Sequence, residues 1–415
     1  MHSVPIMPKF ASITEFLRTA LSGPAVAMAI GVAAGVPVAA ADGGVAPARV
    51  PSKRVDLGSS AAFSGAGVLY AVSKQGDHVM LYRSDDDGRN WSPPVVVNDQ
   101  PEAIAADGES KPNLAFAADG ALVVSWTKPL SRPYTGEVRL SRSEDGRVFS
   151  APMTVHRDRA EITHRFDSMI VAPDGRIYVA WIDKRDLEAA KEAKAVYRGA
   201  AIYAAVSVDG GKTFLPEQKV ADHSCECCRI AMTLDRDGRP LLMWRHVFAP
   251  NERDHAIARL GNNGTAESVV RATFDRWKLD GCPHHGPSLA VDATGTRHAV
   301  WFNYKDGVGH VFYGRLAKDG NEGRVEGQRM VGGERAEHAD LAVSGRRVAL
   351  VWKEFDGQRT VLRAEISDDG GETFRGLDPV PTAGASDQVR ALVKGDSFFA
   401  FWRTEREGMR VIPLH

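Results

Sequence analysis

The chain has 415 residues, with 52 basic and 53 acidic side chains, a formal net charge of −1 and 40 glycines. Because the two signs are interspersed, the charge pattern excludes a basic surface for nucleic acid or for an anionic membrane. A chain of this length forms one large repeat domain or two ordinary domains. The abundance of glycine indicates many turns and favours an all-β structure.

Residues 1–41 have the pattern of an export signal. Basic side chains come first, an apolar stretch rich in alanine, glycine and valine follows at residues 25–36, and residues 39–41 are all alanine. Small residues at this position satisfy the rule for cleavage by signal peptidase. A membrane anchor is the alternative, but the apolar run is short for a span. We therefore expect a cleaved signal peptide and a mature chain, residues 42–415, that is periplasmic or secreted, leaves the membrane after cleavage and can form disulfides.

A strand that begins at Asp-Gly or Gly and usually ends in tryptophan recurs along the mature chain. The tryptophans are spaced by 55, 63, 57, 51 and 50 residues, and a copy without tryptophan, residues 67–72, precedes them. This period matches one four-stranded blade of a β-propeller, with the tryptophan on the second strand. Seven copies predict a seven-bladed propeller; a six-bladed ring is the alternative if the first and last units share one sheet. The repeated tryptophans are Trp126, Trp181, Trp244, Trp301, Trp352 and Trp402.

Two departures from the repeat make further predictions. The last unit reaches His415 after only three strands, so we expect residues near 49–57 to supply its outer strand and to close the single domain. Such a closure removes the open sheet edges. The 63-residue interval contains residues 186–195, which are good helix formers and predict a short exposed helix between the second and third strands of the third blade.

The turn after the third strand carries a second signature, Ser-x-Asp-x-Gly followed by an aromatic residue. Serine and aspartate side chains can bond backbone N–H groups within such a turn, and glycine supplies a positive φ. A calcium loop would need more acidic ligands than each turn offers. The signature therefore predicts a structural role. The full copies begin at Ser84, Ser207 and Ser367, and a shortened copy begins at Ser143.

These turns resemble the Asp-box, or BNR, repeat of the sialidase superfamily, and the resemblance covers roughly residues 50–415. It implies the fold more than an activity, because Asp-boxes lie on the rim of the propeller. An active sialidase would need an arginine triad, a Tyr/Glu nucleophile pair and an acidic aspartate, and the chain has no Arg-Ile-Pro motif near its first blade. We therefore expect that it is not a functional sialidase. The side chains that could supply such a set are Arg165, Arg229, Arg390, Asp167 and Tyr304.

All four cysteines fall in two short motifs, Cys225-Glu226-Cys227-Cys228 and Cys282-Pro283-His284-His285. When the repeats are aligned on the Asp-Gly that follows, both motifs immediately precede first strands, and these strands belong to consecutive blades. The first strands of a propeller line its central channel. The sequence therefore predicts that the two motifs lie side by side at one mouth of the channel.

Thiolates and imidazoles together suit a soft metal ion, with copper(I) first and zinc possible. Disulfides are the main alternative in an exported protein. The adjacent Cys227 and Cys228 pair poorly with each other, so one bridge, for example from the triplet to Cys282, fits easily and leaves two thiols. A redox dithiol is the third alternative. The predicted metal ligands are Cys225, Cys227, Cys228, Cys282, His284 and His285.

The favoured function is the binding or handling of copper by an exported propeller. The first rival is a glycoside hydrolase, of exo-sialidase type, that uses the same channel mouth. The second rival is an interaction platform with disulfide-stapled loops, whose partner would be another periplasmic protein. Thiols that face a histidine favour the metal, whereas two disulfides favour the platform.

Overall fold

The computed structural model describes residues 55–281, 283–317 and 324–415. Apart from one helix, its regular elements are all antiparallel β-strands. The strands form seven sheets, and the first strands contact one another in ring order, with the first sheet beside the last. The chain is therefore a seven-bladed β-propeller. This confirms the predicted fold class and rules out the six-bladed alternative.

Each blade is built from strands that follow one another in the chain. The first blade holds β1 (Ser59–Phe63), β2 (Leu69–Gln75), β3 (His78–Ser84) and β4 (Val95–Val96). The second holds β5 (Asn113–Phe116), β6 (Leu122–Pro129), β7 (Gly136–Ser143) and β8 (Met153–Thr154). The third holds β9 (His164–Val171), β10 (Ile177–Asp183), β11 (Ala200–Ser207) and β12 (Gln218–Ser224).

The remaining blades continue in the same order. The fourth holds β13 (Ala231–Leu234), β14 (Pro240–Arg245), β15 (His255–Leu260) and β16 (Ala266–Arg271). The fifth holds β17 (Ser288–Val291), β18 (Arg297–Lys305), β19 (Val308–Leu316) and β20 (Glu326–Val331). The sixth holds β21 (Ala336–Ser344), β22 (Arg347–Phe355), β23 (Thr360–Ser367), β24 (Arg375–Gly376) and β25 (Val380–Thr382). The seventh holds β26 (Arg390–Lys394), β27 (Ser397–Thr404) and β28 (Gly408–Leu414).

The second strands are largely buried, since each sheet packs against the neighbouring blades on both faces. Every residue of β10 and of β14 is buried. The tryptophans on the second strands all have their side chains in the core, with at most 4% of their surface exposed. Burial of such a large apolar surface is the main stabilising term of each blade. The prediction that the tryptophan strand is second in each blade is confirmed.

The seventh sheet has three strands among the described residues. Its predicted fourth strand, near residues 49–57, falls mostly outside them, as does the predicted signal peptide at residues 1–41. Residues 55–57 are described; they form no strand and line a cavity at one end of the channel. The closure of the last blade by the N-terminal segment therefore stays a prediction.

The single helix of the described residues, α1 (Arg185–Glu192), joins β10 to β11 and buries none of its side chains. It lies where the sequence predicts an exposed helix in the third blade. Within the described ranges, no helix is long and apolar enough to cross a bilayer.

The predicted Ser-Asp turns contain the expected hydrogen bonds. In the third blade the Ser207 hydroxyl accepts the N–H of Gly211 at 2.8 Å. Asp209 accepts the backbone N–H groups of Lys212 and Thr213 at 3.0 and 2.9 Å. Gly211 has φ +90°, in the left-handed region where a side chain is strained. Each of these turns therefore satisfies its own backbone groups at the end of a third strand.

Candidate functional site

The three clustered cysteines lie on a loop that leaves the outer strand of the third blade and enters the inner strand of the fourth. We call residues 225–228 the thiol loop; it joins β12 to β13. The backbone N–H of Cys225 donates to the carbonyl of Arg245 at 2.8 Å, and Ser224 bridges to His246. The loop is therefore held against the end of β14, the tryptophan strand of the fourth blade.

The sulfur atoms of the thiol loop converge on one point. The Sγ of Cys225 lies 3.4 Å from that of Cys228 and 4.0 Å from that of Cys227, and all three sulfurs lie within 4.8 Å of one another. The residues are buried, with 1%, 8% and 2% exposure in chain order. Cys225 and Cys228 are thiols, whereas Cys227 is a half-cystine. The loop thus presents two buried thiols in contact and a third sulfur beside them.

Arg245, at the end of β14, supplies the charge next to these sulfurs. Its side chain is completely buried, and its Nη1 donates to the Sγ of Cys228 at 3.0 Å. Its Nη2 donates to the carbonyl of His285, and the guanidinium lies 5.1 Å from the centre of the Trp277 ring. A buried guanidinium requires compensating negative charge. The sulfur atoms are placed to carry it, and the carboxylate of Glu109 adds negative charge nearby.

The two thiols share their protons unequally. A hydrogen bond from Cys228 lowers the pKa of Cys225 against the effect of burial, and the positive charge of Arg245 lowers it further. The same hydrogen bond, together with burial, raises the pKa of Cys228. Burial alone would lower the pKa of Arg245, but the charge on the two sulfurs raises it. The pair therefore favours one thiolate and one thiol beside a guanidinium, which is a nucleophilic and metal-binding arrangement.

Arg229, the residue after the thiol loop, fastens the loop to the centre of the propeller. Its backbone N–H donates to Glu109 at 2.9 Å, and its Nη1 donates to Gln388 at 2.9 Å. Its Nε and Nη2 donate to the carbonyls of Pro287 and Ala339 at 3.0 and 2.8 Å. These partners come from four other blades, so one side chain fixes the loop relative to the whole ring.

Glu109 completes this anchor. Despite the desolvation imposed by burial, the charge of Arg229 and a hydrogen bond from His338 hold the pKa of Glu109 well below its ordinary value. Of the other arginines considered for a triad, Arg390 lines the same central cavity as Arg229 and pairs with Asp340 at 3.3 Å, whereas Arg165 lines a separate cavity beside Cys227. The contacts of Arg229 therefore position the thiol loop.

The second motif meets the thiol loop, as the phase of the repeats predicts. We call residues 283–286 the histidine loop. A Cβ on Gly286 would stand 2.8 Å from the carbonyl oxygen of Arg229, so the histidine loop contacts the residue that follows the thiol loop. Cys227 and His284 line the same cavity. The two loops therefore share one mouth of the channel.

The side chains of the histidine loop point to different surroundings from the sulfurs. The ring of His285 is stacked between Phe302 and His338, with centroids 4.2 and 4.1 Å away, and burial together with His338 lowers its pKa. His284 is exposed at the cavity. The metal-type cluster found in the described residues contains the three sulfurs of the thiol loop and neither imidazole. Cys282, also a predicted ligand, lies outside the described residues.

A cavity of about 450 Å³ opens in front of Cys227. Its wall carries the basic side chains Arg165, Lys184 and Arg253 and the acidic side chains Asp107 and Glu226, and Lys184 forms an ion pair with Glu226 of the thiol loop. A neighbouring cavity of about 430 Å³ shares His284 with it. The mouth of the channel can therefore admit a small ligand up to the edge of the sulfur cluster.

Comparison with known proteins gives a likeness of fold. No protein-family model matches the chain, and no curated protein matches it. A polysaccharide lyase of family PL25, an ulvan lyase, superposes with a TM-score of 0.55 at 12% identity, over 85% of this chain and 90% of that one. The polysaccharide lyase Uly1 gives 0.52 at 8% identity, over 84% and 88% of the two chains. The sialidase Hz136, described as a Hadza microbial sialidase, gives 0.49 at 13% identity, over 82% and 74%. At these identities the two lyases share the propeller fold with this chain.

Proposed function

We propose that this chain is an exported, sialidase-like propeller that binds a soft metal ion between the thiolates of Cys225 and Cys228. The ion that we favour is copper(I). The observation that carries the proposal is the contact of two buried thiols, 3.4 Å apart, beside the buried guanidinium of Arg245. Thiolate sulfur is a soft ligand that suits copper(I), zinc and iron–sulfur clusters. The function is the holding or transfer of that ion at the channel mouth.

Charge balance favours a monovalent ion. Two thiolates and one copper(I) together carry a single negative charge, and the positive charge of Arg245 neutralises it. A divalent ion in the same place would leave the buried site with a net positive charge, which is costly in a low-dielectric interior. The surroundings of the sulfurs therefore support copper(I) over a divalent competitor.

Zinc is the second choice of metal. Structural zinc sites use four fixed ligands, and the sulfur cluster of the described residues includes no imidazole or carboxylate. Copper(I) accepts a smaller number of sulfur ligands. The donor set therefore supports copper(I) more strongly than zinc.

In this proposal the other predicted ligands do not bind the ion at the thiol pair and have other roles. Cys227 is a half-cystine, so its sulfur staples the loop instead of binding the ion; Cys282 lies outside the described residues, and the bridge predicted for it stays a prediction. His284 is exposed at the cavity in front of Cys227 and is placed to meet an incoming ion. His285 supports the site from its ring stack. The arrangement combines one staple with one metal-binding thiol pair.

The proposal includes export of the chain, because the proposed site combines a disulfide with a pair of thiols. The sequence pattern of residues 1–41 supports a cleaved signal peptide and a periplasmic or secreted chain. The partner would be another periplasmic protein that delivers or accepts the ion. Fractionation of expressing cells, with N-terminal sequencing of the mature chain, tests this step. Retention of residues 1–41 in the cytoplasmic fraction would contradict it.

The metal proposal is tested by anaerobic titration with copper(I) against a competing chelator. Wild type should bind one ion tightly, and the Cys225→Ser/Cys228→Ser double variant should lose at least about a hundredfold in affinity. His284→Ala is the matched control, because it alters the cavity and leaves the thiol pair intact; its affinity should change by less than about tenfold. If the wild type and the double variant are both folded and bind copper(I) with the same weak affinity, the proposal is wrong.

A second candidate function is supported by the cavity rather than by the sulfurs. Its wall carries three basic side chains, Arg165, Lys184 and Arg253, against two acidic ones, Asp107 and Glu226, which leaves one net positive charge for an anionic ligand. Polysaccharide lyases share the fold. An acidic polysaccharide is therefore the substrate class to test, by chain cleavage with wild type and with Arg165→Ala. Absence of cleavage and of binding by the wild type would remove this candidate.

A further inference from the structure

The first strands carry a set of equivalent side chains at one level of the ring. In the second to seventh blades, one first-strand residue pairs with the second-strand residue two positions before the blade tryptophan. We call these positions the channel tier. In blade order they are Leu114, Met169, Met232, Leu289, Leu341 and Ala391. The two methionines therefore belong to the third and fourth blades, which are the blades that the thiol loop joins.

Both methionines line the central cavity, which has a volume of about 220 Å³ and is also lined by Arg229, the residue after the thiol loop. Met232 follows Cys228 by four residues, so its Cα lies within about 14 Å of the Cα of Cys228. A methionine side chain has three rotatable bonds, so both sulfurs can turn toward the same part of this small cavity. The cavity thus offers two thioethers, which are soft ligands, close to the thiol loop.

The basic side chains around the central cavity are already neutralised. Within the described residues, three basic side chains line the cavity, and each lies within ion-pair distance of a carboxylate. The pairs are Lys111 with Asp387 at 3.1 Å, Arg229 with Glu109 at 3.6 Å, and Arg390 with Asp340 at 3.3 Å. These pairs leave no surplus positive charge that would repel a cation from the cavity.

Asp167, a further carboxylate of the central cavity, has neutral partners. It accepts the hydroxyls of Ser125 and Thr127 at 2.7 and 3.1 Å and the side-chain amide of Asn113 at 3.2 Å. Burial raises the pKa of Asp167 despite these hydrogen bonds, as expected for a buried carboxylate without a cation. A monovalent cation in the cavity would supply the missing positive charge.

We propose that the central cavity is a second copper(I) site, in which the thioethers of Met169 and Met232 bind the ion and the carboxylate of Asp167 balances its charge. The identity of the ion rests on the proposed function, whereas the ligands are separate from the thiol pair. Thioethers suit copper(I), but they carry no charge, so this site binds more weakly than two thiolates and fills after them. The ion held there is the one more readily given to a partner.

The experiment uses the full metal-free chain, with Cys225 and Cys228 as thiols and with the methionine methyl groups labelled with carbon-13. Copper(I) is added anaerobically, and methyl NMR spectra are recorded. The first equivalent should fill the thiol pair, and the second should shift the methyl resonances of Met169 and Met232. Methyl resonances that stay in place in excess copper(I) would overturn the proposal. An equal shift with sodium ions would also overturn it, because a hard ion prefers oxygen.

Met169→Leu and Met232→Leu assign the two resonances and remove the ligands. Leucine is a mild replacement, since it occupies the channel tier in three other blades and has a similar volume. The double variant should bind the second ion at least about tenfold more weakly, and Asp167→Asn should also weaken it about tenfold. Met243→Leu, in the buried strand β14, is the matched control and should bind as the wild type does. A folded double variant with wild-type affinity for the second ion would show that the methionines only fill space.

The Cys225→Ser/Cys228→Ser variant distinguishes failure of this site from failure of the thiol site. In that variant the first equivalent of copper(I) should shift the resonances of Met169 and Met232. If both resonances shift and the wild type binds no more tightly than the variant, the channel site stands and the thiol proposal fails. If the wild type binds one ion through its thiols and the methyl resonances never move, the thiol proposal stands and the channel site fails.

Discussion

At the scale of single residues, the charge of Arg245 determines which charge state of the thiol-loop sulfurs is stable. It is fully buried and donates to Cys228 at 3.0 Å. Breaking a buried charge pair costs more than the pair itself contributes, because the remaining charge is left without a partner. The guanidinium therefore favours any state in which the sulfurs carry one net negative charge, which is the charge of a dithiolate with copper(I).

The first prediction concerns this charge. Arg245→Met should weaken copper(I) binding by about tenfold or more, since the complex then keeps an uncompensated buried charge. Arg245→Lys retains the charge and should keep most of the affinity. Competition titration measures both, and the melting temperatures show whether each variant is folded. An Arg245→Met protein that is folded and binds as tightly as wild type would contradict the proposed charge balance.

The sequence predicts part of this site. The cysteines are rare and their phase in the repeat is fixed, so the contact of the two loops could be predicted. Arg245 could not be singled out, because it follows a blade tryptophan just as Arg403 does in the seventh blade. The stacking of His285 on Phe302 and His338 also could not be predicted from a sequence pattern, since it depends on how the fifth and sixth blades pack together.

At the scale of elements, the Ser-Asp turns end third strands in a repeated way. Asp209 accepts two backbone N–H groups and the hydroxyl of Thr213, and these hydrogen bonds, against the opposing effect of burial, lower its pKa to about 2. In such a turn, side-chain oxygens take the place of water as acceptors for the backbone N–H groups. Its contribution is local, because the turn lies at the end of a blade strand rather than in the thiol loop.

The second prediction follows from these turns. Asp209→Ala should lower the free energy of unfolding by about 1–2 kcal/mol at neutral pH, a value kept low because solvent screens a partly exposed carboxylate. The folded-state pKa lies below the ordinary value of 3.8, so the stabilisation is complete above that value and is lost as the pH falls through about 2. Denaturant melts of wild type and variant at pH 7 and pH 3 measure the difference. A gap that widens in acid would contradict this assignment.

The elements differ in how well the sequence predicts them. The second strands and the exposed helix could be predicted, because their apolar runs and helix formers are strong local signals. The outer strands β4, β8 and β24 are two residues long and carry no pattern that distinguishes them from the turns around them. Their pairing is set by the neighbouring third strand.

At the scale of the whole molecule, Asp387 joins the two ends of the ring. It accepts the backbone N–H of Ser59 at 3.0 Å and pairs with Lys111 at 3.1 Å, and both groups of this ion pair are buried. Its own backbone carbonyl accepts the indole N–H of Trp402. The first, second and seventh blades therefore meet at one carboxylate.

The third prediction tests this closure. Asp387→Ala should lower the free energy of unfolding by about 3–5 kcal/mol, because it leaves Lys111 buried without its partner. The double variant Asp387→Ala/Lys111→Met removes the orphaned charge and should recover part of the loss. Thermal melts of the three proteins make the comparison. A single variant as stable as wild type would show that the ring does not depend on this pair.

The fourth prediction concerns the metal itself, and X-ray absorption at the copper edge tests it most directly. The chain, with Cys225 and Cys228 as thiols and the disulfide of Cys227 intact, is loaded with one equivalent of copper(I) under anaerobic conditions and compared with the Cys225→Ser/Cys228→Ser variant. Wild type should show a copper(I) edge and a nearest shell that contains sulfur alone, with two scatterers; the variant should lose that shell. A nearest shell of nitrogen or oxygen in the wild type, or the same sulfur shell in both proteins, would contradict copper(I) binding by the Cys225 and Cys228 thiolates.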